Sequence, residues 1–232
     1  ANGYLNLHLD RTAFLVDRLA GRTPPPALGA HSGKTIVEHT AINPNKAAHI
    51  GHIRNATLGD TLVRCLRFLG HRVEIQNYID DTGAQVADVV VGCRELERLS
   101  IADIEALAGK PRFDYYCWDL YARVTEWYEA DKTRLSVRAA VLHDIEHGEG
   151  ETAAMARLIA DRIVRYHLKT MARMNVQYDL LTWEGDILRL QFWNRAFEIL
   201  KAQGSVYFQP AGRLIGCWVM RIEEAAEAAT AA

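Results

Sequence analysis

A chain of 232 residues, 49% hydrophobic and with a net charge of −2, can bury a sizeable core. That length fits one large domain or one and a half. The balanced charge excludes a broadly basic nucleic-acid binder, so any RNA contact must come from a local patch or from sequence outside this chain. No apolar run approaches the roughly 20 residues of a membrane span, and no signal peptide is visible.

The four cysteines, Cys65, Cys93, Cys117 and Cys217, form no CxxC pair. Three lie in helical apolar patterns, where cysteine behaves as a small hydrophobe. A disulfide framework and a zinc knuckle are therefore not expected, no structural metal is expected, and the chain suits a reducing compartment. The first residue is Ala1 and the first methionine is Met155, which fits a removed initiator or a piece of a longer protein.

Residues 4–9, Tyr-Leu-Asn-Leu-His-Leu, alternate with the period of a strand. Asp10 can cap a short helix over 11–20, closed by Gly21. Pro24-Pro25-Pro26 and small polar residues up to Gly33 then form a stiff linker. Residues 1–20 read either as the last strand and helix of a preceding domain or as an N-terminal hairpin arm.

A second alternating run, Thr35-Ile36-Val37-Glu38-His39-Thr40, leads into Asn43-Pro44-Asn45-Lys46-Ala47-Ala48-His49-Ile50-Gly51-His52. This stretch opens a long amphipathic segment ending at Leu69 and Gly70, whose apolar stripe is Ile50, Ile53, Leu58, Leu62, Cys65, Leu66 and Leu69. Another strand, Val73 to Ile79, follows, so the order is strand, helix, strand, which predicts a parallel pair. The turn places unpaired backbone N–H groups and the positive end of a helix dipole together, which suits a phosphate. His49 and His52, three apart, can lie on one side of the first turn and donate to phosphate oxygens. Gly51 leaves the backbone open to a flat ligand. The plainer reading of these residues is a helix start with two capping histidines.

His49-Ile50-Gly51-His52 reads as the HIGH signature of class I aminoacyl-tRNA synthetases. The wider run, from Val37-Glu38-His39-Thr40 through Arg54-Asn55 and Gly59-Asp60, resembles the arginyl-tRNA synthetase family. The resemblance implies an α/β, Rossmann-like nucleotide-binding fold, a parallel sheet with helices, carrying a helical insertion. It implies an N-terminal domain remnant plus linker over 1–33 and the first half of the nucleotide-binding fold over 34–112. A helical insertion over 113–177 and an incomplete continuation of the catalytic domain over 178–232 would follow. The implied reaction is activation of L-arginine by ATP, with Mg2+ accompanying the nucleotide, and transfer to tRNA-Arg. His49 and His52 would be catalytic. Lys46, His49, Gly51 and His52 would bind ATP. Glu38, Thr40, Asn43, Asp81 and Gln85 would face arginine, Glu38 through the guanidinium, for which a carboxylate is the natural partner. Ala41 stands where the family usually has Ser. No KMSKS string, the second class I signature, occurs in these residues. A cytoplasmic monomer is expected, with most tRNA contacts on domains not included here. The alternatives are a non-catalytic paralogue that binds RNA or a partner, and another HxGH-type adenylyl transferase.

Asp80-Asp81-Thr82-Gly83-Ala84-Gln85 leads into a predicted helix from Val86 to about Leu99. The acids also suit a simple helix cap. Residues 113–147 read as helical, with Tyr115, Tyr116, Trp118, Tyr121, Trp127 and Tyr128 as core. His143 and His147 have a spacing able to hold a metal, but the absence of a third ligand makes them ordinary helix-terminal histidines. A long helix over 152–174 has a basic face (Arg157, Arg162, Arg165, Lys169, Arg173) read as solvated. Next come a strand at Tyr178-Asp179-Leu180-Leu181, a helix over 187–203, and two short strands at 205–208 and 217–220. The residues from 223 onward, mostly alanine and glutamate, read as a frayed helix or a cut end.

Overall fold

The computed structural model describes residue 8 and residues 10–21, 33–190 and 192–220. The Pro-rich linker and the 223–232 segment lie outside these, as does nearly all of the strand expected over 4–9. The chain divides into two compact units. The described parts of 1–41, 48–78 and 168–181 form the first, and those of 42–47, 79–167 and 182–232 the second.

The first unit begins with α1 (Arg11–Leu19), capped as expected: Asp10 Oδ1 accepts the Ala13 N–H at 2.9 Å. Strand β1 (Lys34–Glu38), helix α2 (Ile50–Phe68) and strand β2 (Arg72–Ile79) make the predicted β–α–β unit. The strands pair in parallel, from Lys34 against Arg72 to Glu38 against Gln76. Strand β3 (Leu180–Trp183) adds to the other side of β2, giving the order β1-β2-β3. Val37, Val63 and Ile75 form the buried cluster, with Leu66, Val73 and Tyr178 against it.

The predicted stripe of α2 packs only in part: Leu66 lies against the cluster, and Ile53 and Leu69 are half-buried. Ile50, Leu58 and Leu62 are exposed, as is Cys65. The helix instead buries Ala56, Gly59 and Val63. A small-residue face lets α2 lie close: a Cβ built on Gly59 would sit 2.1 Å from Cγ of His39. Periodicity marks apolar faces, but close approach selects the one with less side chain.

The second unit is mostly helical. Helix α3 (Ala84–Val91) widens into a π turn over Gly92–Leu96, so the single helix expected to Leu99 ends early. Gly92 lies where a Cβ would meet Leu120 Cγ at 2.5 Å, so the chain is pressed against the next long helix. Helix α4 (Ile101–Ala108), not foreseen, starts on a reciprocal cap between Ser100 and Asp103. The predicted helix over 113–147 is two, α5 (Phe113–Ala130) and α6 (Leu135–His147). Asp131, with extended backbone and a side chain accepting from Thr133 N–H at 3.0 Å, ends one and restarts the chain. Helix α7 (Gly150–Ala172) follows. The core joins Val86, Val89 and Val90 to Phe113, Cys117, Leu120 and Val124, and to Met155, Ile159 and Ile163.

Of the six aromatics expected in this core, Tyr128 is fully buried, while Tyr115 is exposed and the rest are half-buried. The buried positions of α5 step by three and four through Phe113, Cys117, Leu120, Val124 and Tyr128, a stripe that the larger rings flank. The helix expected over 187–203 is also two, α8 (Glu184–Arg189) and α9 (Phe192–Ala202). Strands β4 (Tyr207–Phe208) and β5 (Trp218–Val219) close an antiparallel hairpin. Among the described residues no helix is long and apolar enough to cross a membrane.

Candidate active site

The signature histidines start α2. His49 is its N-cap, with extended backbone. Its Nδ1 accepts the Gly51 N–H at 3.2 Å, while His52 Nδ1 accepts the His49 N–H at 3.2 Å. The rings stack at 3.7 Å. Two orphan donors of the first turn are thus satisfied reciprocally. Because both Nδ1 atoms accept, each neutral ring carries its proton on Nε2, a donor by necessity. The capping contacts use Nδ1 of each ring, the nitrogen opposite to the one a phosphate donor would use. Gly51 serves this arrangement directly: a Cβ there would press on the His49 ring at 3.1 Å.

Upstream of the cap, Thr40 and Ala41 have φ of +80° and +45°. For a β-branched residue this is a strained conformation that its surroundings must hold. Thr40 Oγ1 shares hydrogen bonds with His39 Nδ1 (2.9 Å) and Tyr178 Oη (2.7 Å). Ala41 N–H donates to Asn77 Oδ1 at 2.9 Å. Burial lowers the His39 pKa, against the opposing influence of the Asp60 carboxylate, and burial raises that of Tyr178. Thr40 is buried with its hydroxyl engaged twice, so it presents backbone rather than side chain. Glu38, by contrast, is exposed at the carboxyl end of β1.

The second unit holds the remaining signature residues. Asn43 Nδ2 donates to Asp80 Oδ2 at 3.3 Å. Burial and the neighbouring Glu184 push Asp80 up to about 6. Neither Asp80 nor Asp81 caps α3, whose N-cap, Gly83, has no side chain to cap with. Asp81 Oδ1 instead accepts the Gly185 N–H at 2.8 Å, in the first turn of α8. Burial raises the Asp81 pKa and that hydrogen bond opposes the rise. Thr82 donates its hydroxyl proton to Glu184. A cleft of about 540 Å3 lined by Asp80, Glu146 and Glu184 lies in this unit. Gln85 is half-buried on the first turn of α3.

Lys46 has its ammonium nitrogen over the rings of Trp118 (5.7 Å) and Tyr121 (5.6 Å). Its carbonyl accepts from His167 Nε2 at 2.7 Å. His167 is buried, and desolvation lowers its pKa. His143 and His147 form a helix-end contact, His147 Nδ1 to His143 O at 2.7 Å.

Sequence reasoning missed Asn77, Tyr178 and His167 as supports of this region. Asn77 had a signal: it is the polar member of the inward series Ile75, Asn77, Ile79 on β2. His167 likewise interrupts the apolar face of α7. Tyr178 carried no signal beyond its place in an apolar run.

A parallel β–α–β unit whose helix begins on His-Ile-Gly-His is the arrangement of a class I synthetase nucleotide-binding fold. Residues 23–220 match the family described as tRNA synthetases class I (R), catalytic domain. An arginine–tRNA ligase of Thermococcus kodakarensis is 36% identical over 234 residues, covering 96% of this chain and 36% of that protein. One from Thermus thermophilus is 34% identical over 218 residues, covering 94% and 34%. The solved Thermus thermophilus arginyl-tRNA synthetase superposes with a TM-score of 0.68 at 33% identity, over 95% of this chain and 34% of that one. The Plasmodium falciparum arginyl-tRNA synthetase, at 13% identity and a TM-score of 0.60, shares the fold. The chain therefore belongs to the class I arginyl-tRNA synthetase catalytic-domain family. It spans about a third of the length of these relatives.

Proposed function

We propose that this chain supplies the amino-acid-activating part of an arginine–tRNA ligase. The supporting observation is the reciprocal capping of His49 and His52, which fixes a donor on each Nε2. In the proposed step the arginine carboxylate attacks the α-phosphate of ATP in line, forming arginyl-adenylate as pyrophosphate leaves. The arginyl group then passes to the 3′ end of tRNA-Arg. Such a reaction needs positioning and charge stabilisation more than covalent chemistry. His49 and His52 stabilise phosphate charge, and Gly51 leaves the backbone open to adenosine. Lys46 adds a positive charge toward the phosphates.

Glu38 takes the guanidinium as a paired, charge-assisted acceptor. Asn43 holds the amino-acid backbone groups, and Gln85 is a further contact to arginine. Thr40 and Asp81 act through the backbone they fix. Mg2+ arrives with ATP as its counter-ion; among the described residues no three His, Cys, Asp or Glu side chains converge to hold a metal of their own. We keep residues 1–33 as an N-terminal remnant and linker, 34–112 as the first half of the nucleotide-binding fold, 113–177 as a helical insertion and 178–232 as its continuation. A cytoplasmic monomer completes the reading.

The test is arginine-dependent ATP–pyrophosphate exchange with tRNA present. The 232 residues alone should show little or none, because no KMSKS loop is among them. In a chain extended to the length of its relatives, His52→Ala should cut the exchange rate about 100-fold or more while changing arginine affinity little. An unchanged rate would remove the phosphate role.

A further inference from the structure

Lys46 is the basic residue of the signature turn, and its surroundings come from helices far along the chain. Trp118 and Tyr121 stand three apart on α5 and present their rings to its ammonium at 5.7 and 5.6 Å. His167 on α7 donates to its carbonyl. Side chain and backbone are thus each held by a different helix. An aromatic face attracts a cation, yet offers no carboxylate oxygens to saturate the N–H donors. A lysine held this way keeps its charge and its donors while having surrendered part of its rotamer freedom. Neither ring is among the buried positions of α5, which are Phe113, Asp114, Cys117, Leu120, Val124 and Tyr128; Tyr121 packs against the edge of the core, and Trp118 is half-buried.

We propose that Trp118 and Tyr121 are positioning residues for the nucleotide: they shelve the Lys46 ammonium for the β- and γ-phosphates of ATP, and His167 fixes the backbone beneath it. This rests on the reading of Lys46 as an ATP-binding residue. The shelf performs no chemistry. Its effect is to present a charged donor whose orientation is already narrowed by the two rings.

The experiment titrates MgATP, and separately AMP, into the 232-residue chain, alongside NMR of its 13C-labelled lysine ε-methylenes, Lys46 being assigned by its loss in Lys46→Ala. In the parent, ring faces should move the Lys46 signal upfield of the other lysines. Trp118→Leu with Tyr121→Leu should abolish that displacement and weaken MgATP binding about three- to fivefold, leaving AMP binding unchanged. Trp118→Phe, which restores a ring, should keep both near the parent. If Lys46→Ala binds MgATP as the parent does, or the parent binds none, the nucleotide reading of Lys46 falls and the shelf with it. If Lys46→Ala weakens binding but the double leucine variant does not, the shelf alone is overturned. Equal losses for MgATP and AMP, with a lowered melting temperature, would make the rings structural and also overturn it.

Discussion

Thr40 shows how much of this region depends on single side chains. Its φ of +80° is costly for a threonine, and the hydroxyl bond to Tyr178 is one of the contacts that hold it there. Tyr178→Phe keeps the ring and removes that hydrogen bond. The expected loss is about 1 kcal/mol, read as a lower urea midpoint; an unchanged midpoint would mean that His39 and Asn77 hold Thr40 unaided. The histidines of the signature make a related point. Their spacing was legible in the sequence, and so was their place at the start of a helix. What spacing alone does not specify is that each ring spends Nδ1 on the helix start, because that depends on the backbone angle at His49.

At the scale of elements, the firmest tie in the helical unit is between α3 and α6. Asp88, 5% exposed, receives Arg138 Nε at 2.7 Å and Nη2 at 3.0 Å, and the Tyr128 hydroxyl at 3.0 Å. The guanidinium also lies 4.8 Å from the Tyr128 ring centre. Arg138→Met should cost about 3 kcal/mol, since it strands a buried carboxylate. Adding Asp88→Leu should recover most of that loss. A thermal-unfolding double-mutant cycle checks it, and a double variant no better than the single would contradict the account. The sequence disclosed the strand–helix–strand order and the parallel pairing, because hydrophobic periodicity and Gly70 punctuate them clearly. Of the α2 stripe it disclosed Leu66 but not the centre of the packing face, since Leu58 and Leu62 are the bulkier apolar residues and Ala56, Gly59 and Val63 the closer-fitting ones. The breaks at Asp131 and Leu190 were likewise missed, for neither position carries a Gly or Pro signal.

Over the whole molecule, pH acts in two opposed directions. His39 and His167 have pKa values lowered by burial. Folded, they resist protons that the unfolded chain takes up below about pH 6.5, so their contribution is present above that pH and is lost as the solution is acidified. Asp80 has a raised pKa, about 6 against 3.8. Its contribution is therefore present below 3.8 and lost as pH rises through 6. Asp80→Asn should accordingly raise the melting temperature at pH 8, by the equivalent of about 1 kcal/mol after solvent screening. The advantage should shrink to nothing near pH 4; an equal gain at both pH values would argue against a charge effect. The bond between His167 and Lys46 has a consequence in time. Its partners lie 121 residues apart, and synthesis at about 5–20 residues per second separates their emergence by roughly 6–24 s. The turn that names the family is thus made early and finished late: on the ribosome it must wait for α7 before its backbone is held.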